Sequence, residues 1–89
     1  MMTFINFVEF ENHVVAATYR NLMIKAKVVL VDQTSDAQLP DPVVTITSPL
    51  PTGTLRIRLS EKVKPGLYYL RALNAYGDRL ARSAEFRVD

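Results

Sequence analysis

Residues 54–60 read TLRIRLS, and their alternation decides the fold. Leu55, Ile57 and Leu59 fall on one side of an extended chain, and Arg56, Arg58 and Ser60 fall on the other. Successive side chains of a strand point to opposite faces, so this stretch is a strand with one dry and one wet face. The same rule runs towards the C-terminus. In GLYYLRALNA (66–75), Tyr68, Leu70 and Ala72 are expected to face a core, with Tyr69, Arg71 and Leu73 outward. In AEFRV (84–88), Ala84, Phe86 and Val88 are expected inward and Glu85 and Arg87 outward. VVTITS (43–48) adds a short β-branched run, a composition that favours strands.

The punctuation agrees with short strands. Pro40 and Pro42 read as brackets of a loop after TSDAQL. Pro49, Pro51 and Gly53 break the chain before TLRIRLS, and Pro65-Gly66 sets a turn before the next strand. NAYGDR (74–79) connects the last two strands, with Gly77 able to supply a positive φ. Turn signals this frequent point to a sandwich or barrel.

The N-terminal third is open to two readings. TFINFVEF places Phe4, Asn6, Val8 and Phe10 on one face and Ile5, Phe7 and Glu9 on the other, a partial alternation. Residues 13–31 contain no Gly or Pro. A helix there would align Val15, Tyr19, Leu22, Ala26 and Val29 on one stripe. Two strands split near Arg20-Asn21 would instead turn Ile24, Ala26, Val28 and Leu30 inward, with Lys25 and Lys27 outward. The density of Val, Ile and Thr favours the strands.

The order NLMIKAKVVLVD, VVTITS, TLRIRLS, KPGLYYLRALNAYGDR, AEFRV resembles the immunoglobulin-like fold in its bacterial forms, of the IPT/TIG type. The likeness covers roughly residues 21–89 and lies in the succession of alternating strand, Pro-Gly turn, Tyr-containing strand, Gly-bearing turn and Phe-x-Val ending. Arg20-Asn21-Leu22 stands where a Gly-x-x-Phe sequence is common in that family. The expected architecture is a single domain, residues 1–89, built as an all-β, immunoglobulin-like β-sandwich of about seven antiparallel strands. What the resemblance implies is an interaction or spacer module without catalytic residues.

Composition narrows the chemistry. The chain has 89 residues, one histidine and no cysteine, so disulfides, thiolate metal sites and cysteine nucleophiles are excluded. No run of apolar residues is long enough to span a membrane. The N-terminal stretch lacks a basic segment and carries Glu9 and Glu11, unlike a signal peptide. These features leave the compartment and oligomeric state undecided. No G-x-S-x-G elbow surrounds a serine, and His13 reads as a turn or edge residue. Asp32, Asp36 and Asp41 could offer oxygen ligands to calcium, but they lack the D-x-D-x-D-G run, and a solvated loop is the plainer reading. Neither phosphate-cradling glycine motif occurs. The expectation is a protein that is not an enzyme and uses no cofactor or metal.

Charge is uneven. Residues 1–44 carry three basic and five acidic side chains, whereas residues 45–89 carry eight and four. The candidate binding face is therefore Arg56 and Arg58 on one strand with Tyr69 and Arg71 on another. Arginine and tyrosine side by side suit protein hot spots, and they also suit anions, sugars and bases. A protein partner is expected first. The alternatives are a carbohydrate, held by Tyr69, Tyr76 and nearby arginines, and a nucleic acid or other anionic polymer on the basic C-terminal half. Cross-strand packing on a wet face is the plainer account of the same residues.

Overall fold

The computed structural model describes residues 3–46 and 52–89, and in them the chain is all β. The strands are β1 (Phe4–Glu11), β2 (Val14–Arg20), β3 (Lys27–Asp32), β4 (Ala37–Thr45), β5 (Thr52–Arg58), β6 (Gly66–Leu73), β7 (Arg79–Arg82) and β8 (Phe86–Val88). They form two antiparallel sheets, one in the order β1-β2-β5 and one in the order β4-β3-β6-β7. β7 pairs with Arg71–Leu73 of β6 and β8 with Gly66–Tyr68, so the two short strands take successive halves of the central strand. The result is a β-sandwich. The residues 13–31 that a helix could have claimed are two strands with a turn between them, as their β-branched content favours.

The core lies between the sheets. Val15, Ala17 and Tyr19 of β2 and Leu55 and Ile57 of β5 face Val28 and Leu30 of β3, Tyr68, Leu70 and Ala72 of β6, and Phe86 and Val88 of β8. Each set keeps the two-residue period that TLRIRLS announces. The tightest hairpin joins β1 to β2. Its two turn residues, Asn12 and His13, have φ of 53° and 61°. Positive φ at both central positions matches the right-handed twist of the flanking strands. His13 thus sits in a turn.

Five local expectations need correction. Asn6 is an extra residue in β1: Ile5 pairs with Tyr19 and Phe7 with Thr18. This bulge shifts the phase by one, so Ile5 is buried on the same side as Val8 and Phe10, while Phe4 is exposed. Ile24, expected inward, is half-exposed, because Ile24 and Lys25 form a turn, Lys25 at a φ of 71°, and β3 begins only at Lys27. Pro40 and Pro42 lie within β4 rather than around a loop. β4 is an edge strand, and its register jumps from Val29–Val43 to Val31–Gln38, which are the settings a sheet tolerates for a residue without an N–H. Ala84, expected inward, is exposed, since residues 83–85 cross from β7 to β8 outside either strand. Buried Ser83 bridges that gap, with its Oγ accepting the Leu70 N–H at 2.9 Å and its own N–H donating to the Leu70 carbonyl at 2.9 Å. Gly53 belongs to β5 rather than to a break, and Pro49 and Pro51 lie outside the described residues.

Candidate functional site

The four sequence-selected residues do not share a surface. Arg56 and Arg58 lie on β5 and are exposed on the outer face of the three-stranded sheet. Tyr69 and Arg71 lie on β6, on the outer face of the opposite sheet, and are buried at 3% and 6% exposure. The face was expected to be wet because β6 alternates, yet Tyr69 and Leu73 join Val29 and Val31 of β3 in a second small apolar cluster. Central strands have neighbours on both sides, and side chains from those neighbours cover the outward row as well as the inward one.

That covering creates the site. Arg71 pairs with Val29 on one side and directly with Arg82 of β7 on the other. Two guanidiniums opposite one another on adjacent strands repel. The structure distributes them over different partners. Arg71 Nη2 donates to Asp36 Oδ1 at 3.1 Å and to Tyr69 Oη at 2.8 Å. The Tyr69 hydroxyl in turn donates to the same Asp36 oxygen. Arg82 takes the face of the Tyr69 ring, its Cζ 3.8 Å from the centroid. Its only ion pair among the described residues is a loose one with Glu85, at 4.0 Å.

Asp36 arrives from the β3–β4 hairpin. The Thr34 N–H donates to Asp32 Oδ1 at 2.9 Å, and Asp36 itself takes a φ of 56°, a value that aspartate tolerates better than most residues. Asp36, Tyr69, Arg71, Arg79, Leu80, Ala81 and Arg82 surround an open cavity of about 380 Å³. Three guanidiniums face one carboxylate there. The cavity is electropositive and has arginine forks suited to carboxylate or phosphate. Among the described residues, no group of three or more acidic or histidine side chains is placed to hold a metal.

Hydrogen bonding from Tyr69 holds the Asp36 carboxyl below its ordinary value of 3.8, helped by Arg71 and Arg79 against a desolvation that opposes it. The Tyr69 phenol is pushed above its ordinary value of 10.0, first by that same hydrogen bond and then by burial. Each shift stabilises the fold within a window. The carboxylate contribution is present above the ordinary aspartate pKa and is lost as pH falls through the lowered value. The phenol contribution is present below about 10 and is lost as pH rises through the raised value. In a spectrophotometric alkaline titration, Asp36→Ala should therefore bring the Tyr69 ionisation down, since it removes the largest cause of the rise. Burial, with a smaller push from Asp32, raises Tyr68 as well, so the comparison is made in a Tyr68→Phe background, where an unchanged late-titrating tyrosine would show that Asp36 does not hold the Tyr69 hydroxyl.

Asp36, Arg79 and Arg82 were not among the residues the sequence singled out for binding. Arg79 and Arg82 registered only as charge in the basic half, and Asp36 only as a possible calcium ligand beside Asp32 and Asp41, with a solvated loop as the plainer reading. Tyr76, offered as a sugar platform, is 92% exposed at the tip of the β6–β7 turn, and the Tyr69 ring face is already taken by Arg82. The two sheets and this cluster define an all-β sandwich domain with an arginine-lined cavity on one outer face. No protein-family model matches the chain, and no curated protein matches it in sequence.

Proposed function

We propose that the chain is a non-catalytic, immunoglobulin-like interaction module of the IPT/TIG kind, which holds an acidic segment of a partner protein in the arginine cavity. The observation that carries this reading is the direct pairing of Arg71 with Arg82 across β6 and β7, beside a cavity with a single carboxylate in its lining. Like charges opposed on a sheet are costly, and an incoming carboxylate relieves that cost where a neutral ligand does not. Arg82 and Arg79 are exposed and can reach a ligand, while Arg71, anchored by Asp36 and Tyr69, supplies fixed positive potential behind them. Arginine and tyrosine at the centre of a contact are what protein hot spots favour.

An NMR titration with a glutamate-rich peptide tests this. Saturable shifts are expected around Asp36, Tyr69 and Arg82. Arg79→Gln with Arg82→Gln should weaken binding at least tenfold, about 1.4 kcal/mol or more, with the melting midpoint nearly unchanged. Arg56→Ser with Arg58→Ser, on the opposite sheet, should leave peptide binding as it was. Shifts that follow Arg56 and Arg58 instead, or no binding at all, would remove the cavity as the contact site. Preferential binding of an oligonucleotide, with a steep salt dependence, would replace the protein partner by a nucleic acid.

A further inference from the structure

The outer face of the β1-β2-β5 sheet carries a charge pattern that fits a second copy of itself. On this face the middle strand presents Val14, Ala16 and Thr18, with exposed Arg20 at its far end, and these alternate with the core residues Val15, Ala17 and Tyr19. Register sets Glu9 opposite Ala16 and Ala16 opposite Arg56. One row along, it sets Glu11 opposite Val14 and Val14 opposite Arg58. Two carboxylates thus line one side of β2 and two guanidiniums the other, in matched rows, and all four side chains are exposed. The acidic and basic rails stand two strand spacings apart, roughly 9.5 Å. Among the described residues none of the four makes an ion pair. Between them runs a trough of about 280 Å³, lined by Glu9, Glu11, Asn12, Val14, Ala16 and Arg56.

We propose that this face is a homodimer interface whose two-fold axis lies in the contact plane, parallel to β2. Rotation about that axis carries the acidic rail of one copy over the basic rail of the other, row for row. Glu9 meets Arg56 and Glu11 meets Arg58, and symmetry doubles both pairs. The other in-plane axis, perpendicular to β2, lays carboxylate on carboxylate and arginine on arginine. An axis normal to the sheet brings no faces together. The two rails therefore select one symmetry of the three, and Arg20, roughly 13 Å along β2 from Ala16, meets its own copy only at the exposed rim, where solvent screens the repulsion. Stacked sheets are offset by about 30°, which displaces each rail by only about 3 Å, within the reach of Glu and Arg side chains. The small floor of Val14, Ala16 and Thr18 lets the sheets approach closely while the long charged side chains close over the flanks. The face is three strands wide and covers roughly 14 × 23 Å, well under the roughly 800 Å² per partner of a standard interface. The dimer is accordingly weak and sensitive to salt. It uses the sheet opposite the arginine cavity and stands whether or not that cavity binds an acidic partner.

The test is a dilution series followed by NMR and sedimentation from about 20 µM to 1 mM at low ionic strength, a range chosen for the low end of interface sizes. Concentration-dependent shifts are expected on β1, β2 and β5, and added salt should abolish them. Glu9→Arg with Glu11→Arg, and separately Arg56→Glu with Arg58→Glu, should each weaken self-association at least tenfold while melting like the parent. An equimolar mixture of the two variants should associate again. The chain has no cysteine of its own to interfere, so Glu9→Cys and Arg56→Cys proteins can be mixed with a short bismaleimide, which spans the roughly 10 Å between facing sheets that a disulfide cannot bridge. They should cross-link to each other, and neither to itself. A parent protein that stays monomeric throughout overturns the proposal. So do charge reversals without effect, a mixture that fails to associate, or self-linking of Glu9→Cys.

Discussion

Phe86→Ala is expected to remove most of the protein's folding free energy, while Arg87→Ala, one residue along, is expected to be nearly silent. Phe86 is 8% exposed, and its ring stacks on Phe10 of the other sheet with centroids 6.3 Å apart and planes 20° from parallel. It also anchors β8, a strand of three residues with little else to hold it. Truncating a buried phenylalanine costs about 3–5 kcal/mol. A domain of this length has roughly 5 kcal/mol of total stability. Arg87 points to water, where substitutions typically stay within about 0.5 kcal/mol. Urea denaturation of the two variants measures the contrast. The opposite ranking would mean that the faces of β8 are reversed and that the Phe10 stack does not exist.

Gly53→Ala and Gly53→Val are expected to destabilise in that order, the valine by about 2–3 kcal/mol, within the usual cost of overpacking. The sign is the informative part. A glycine inside a strand ordinarily weakens it, and alanine there would recover about 0.5–1 kcal/mol. Here Gly53 pairs directly with Tyr19 across β2 and β5, and the tyrosine ring fills the place of the missing side chain. A Cβ on Gly53 would stand 2.7 Å from Tyr19 Cε2 and closer still to the end of the ring. Tyr19 is 6% exposed and belongs to the core cluster, so its ring moves only by disturbing the side chains packed around it. Thermal melts decide the sign. A double-mutant cycle with Tyr19→Ala should show strong coupling, with the valine far better tolerated once the ring is gone. A stabilised Gly53→Ala protein would mean that the ring does not occupy that space.

Much of the architecture was legible because a buried strand face leaves a period of two. Leu55 and Ile57, Tyr68, Leu70 and Ala72, and Phe86 and Val88 all sit in the core on the faces their alternation indicates. In β1 the reading slipped on a single extra residue. Nothing in TFINFVEF marks Asn6 as a bulge, yet the bulge carries Ile5 to the core and Phe4 to the surface. A second bulge built the cavity. Leu73 pairs with Arg79 but Ala72 with Ala81, so one residue is skipped and Arg82, rather than Ala81, arrives opposite Arg71. A regular hairpin through NAYGDR would have placed alanine there and no cationic pair.

Alternation in the sequence determined that the chain is all β, which residues of β5, β6 and β8 face inward, and that a basic half follows an acidic one. It could not say which strand lies beside which. Pairing brings together residues far apart in the chain, Asp36 with Arg71 and Glu9 with Arg56 across β2, and no local pattern records those neighbours. The tertiary structure alone decided that Arg56 and Arg58 are parted from Tyr69 and Arg71 by the thickness of the core. It decided too that the outward row of β6 is buried. A period of two distinguishes two faces, but how much water each face meets depends on the strands and loops that close over it.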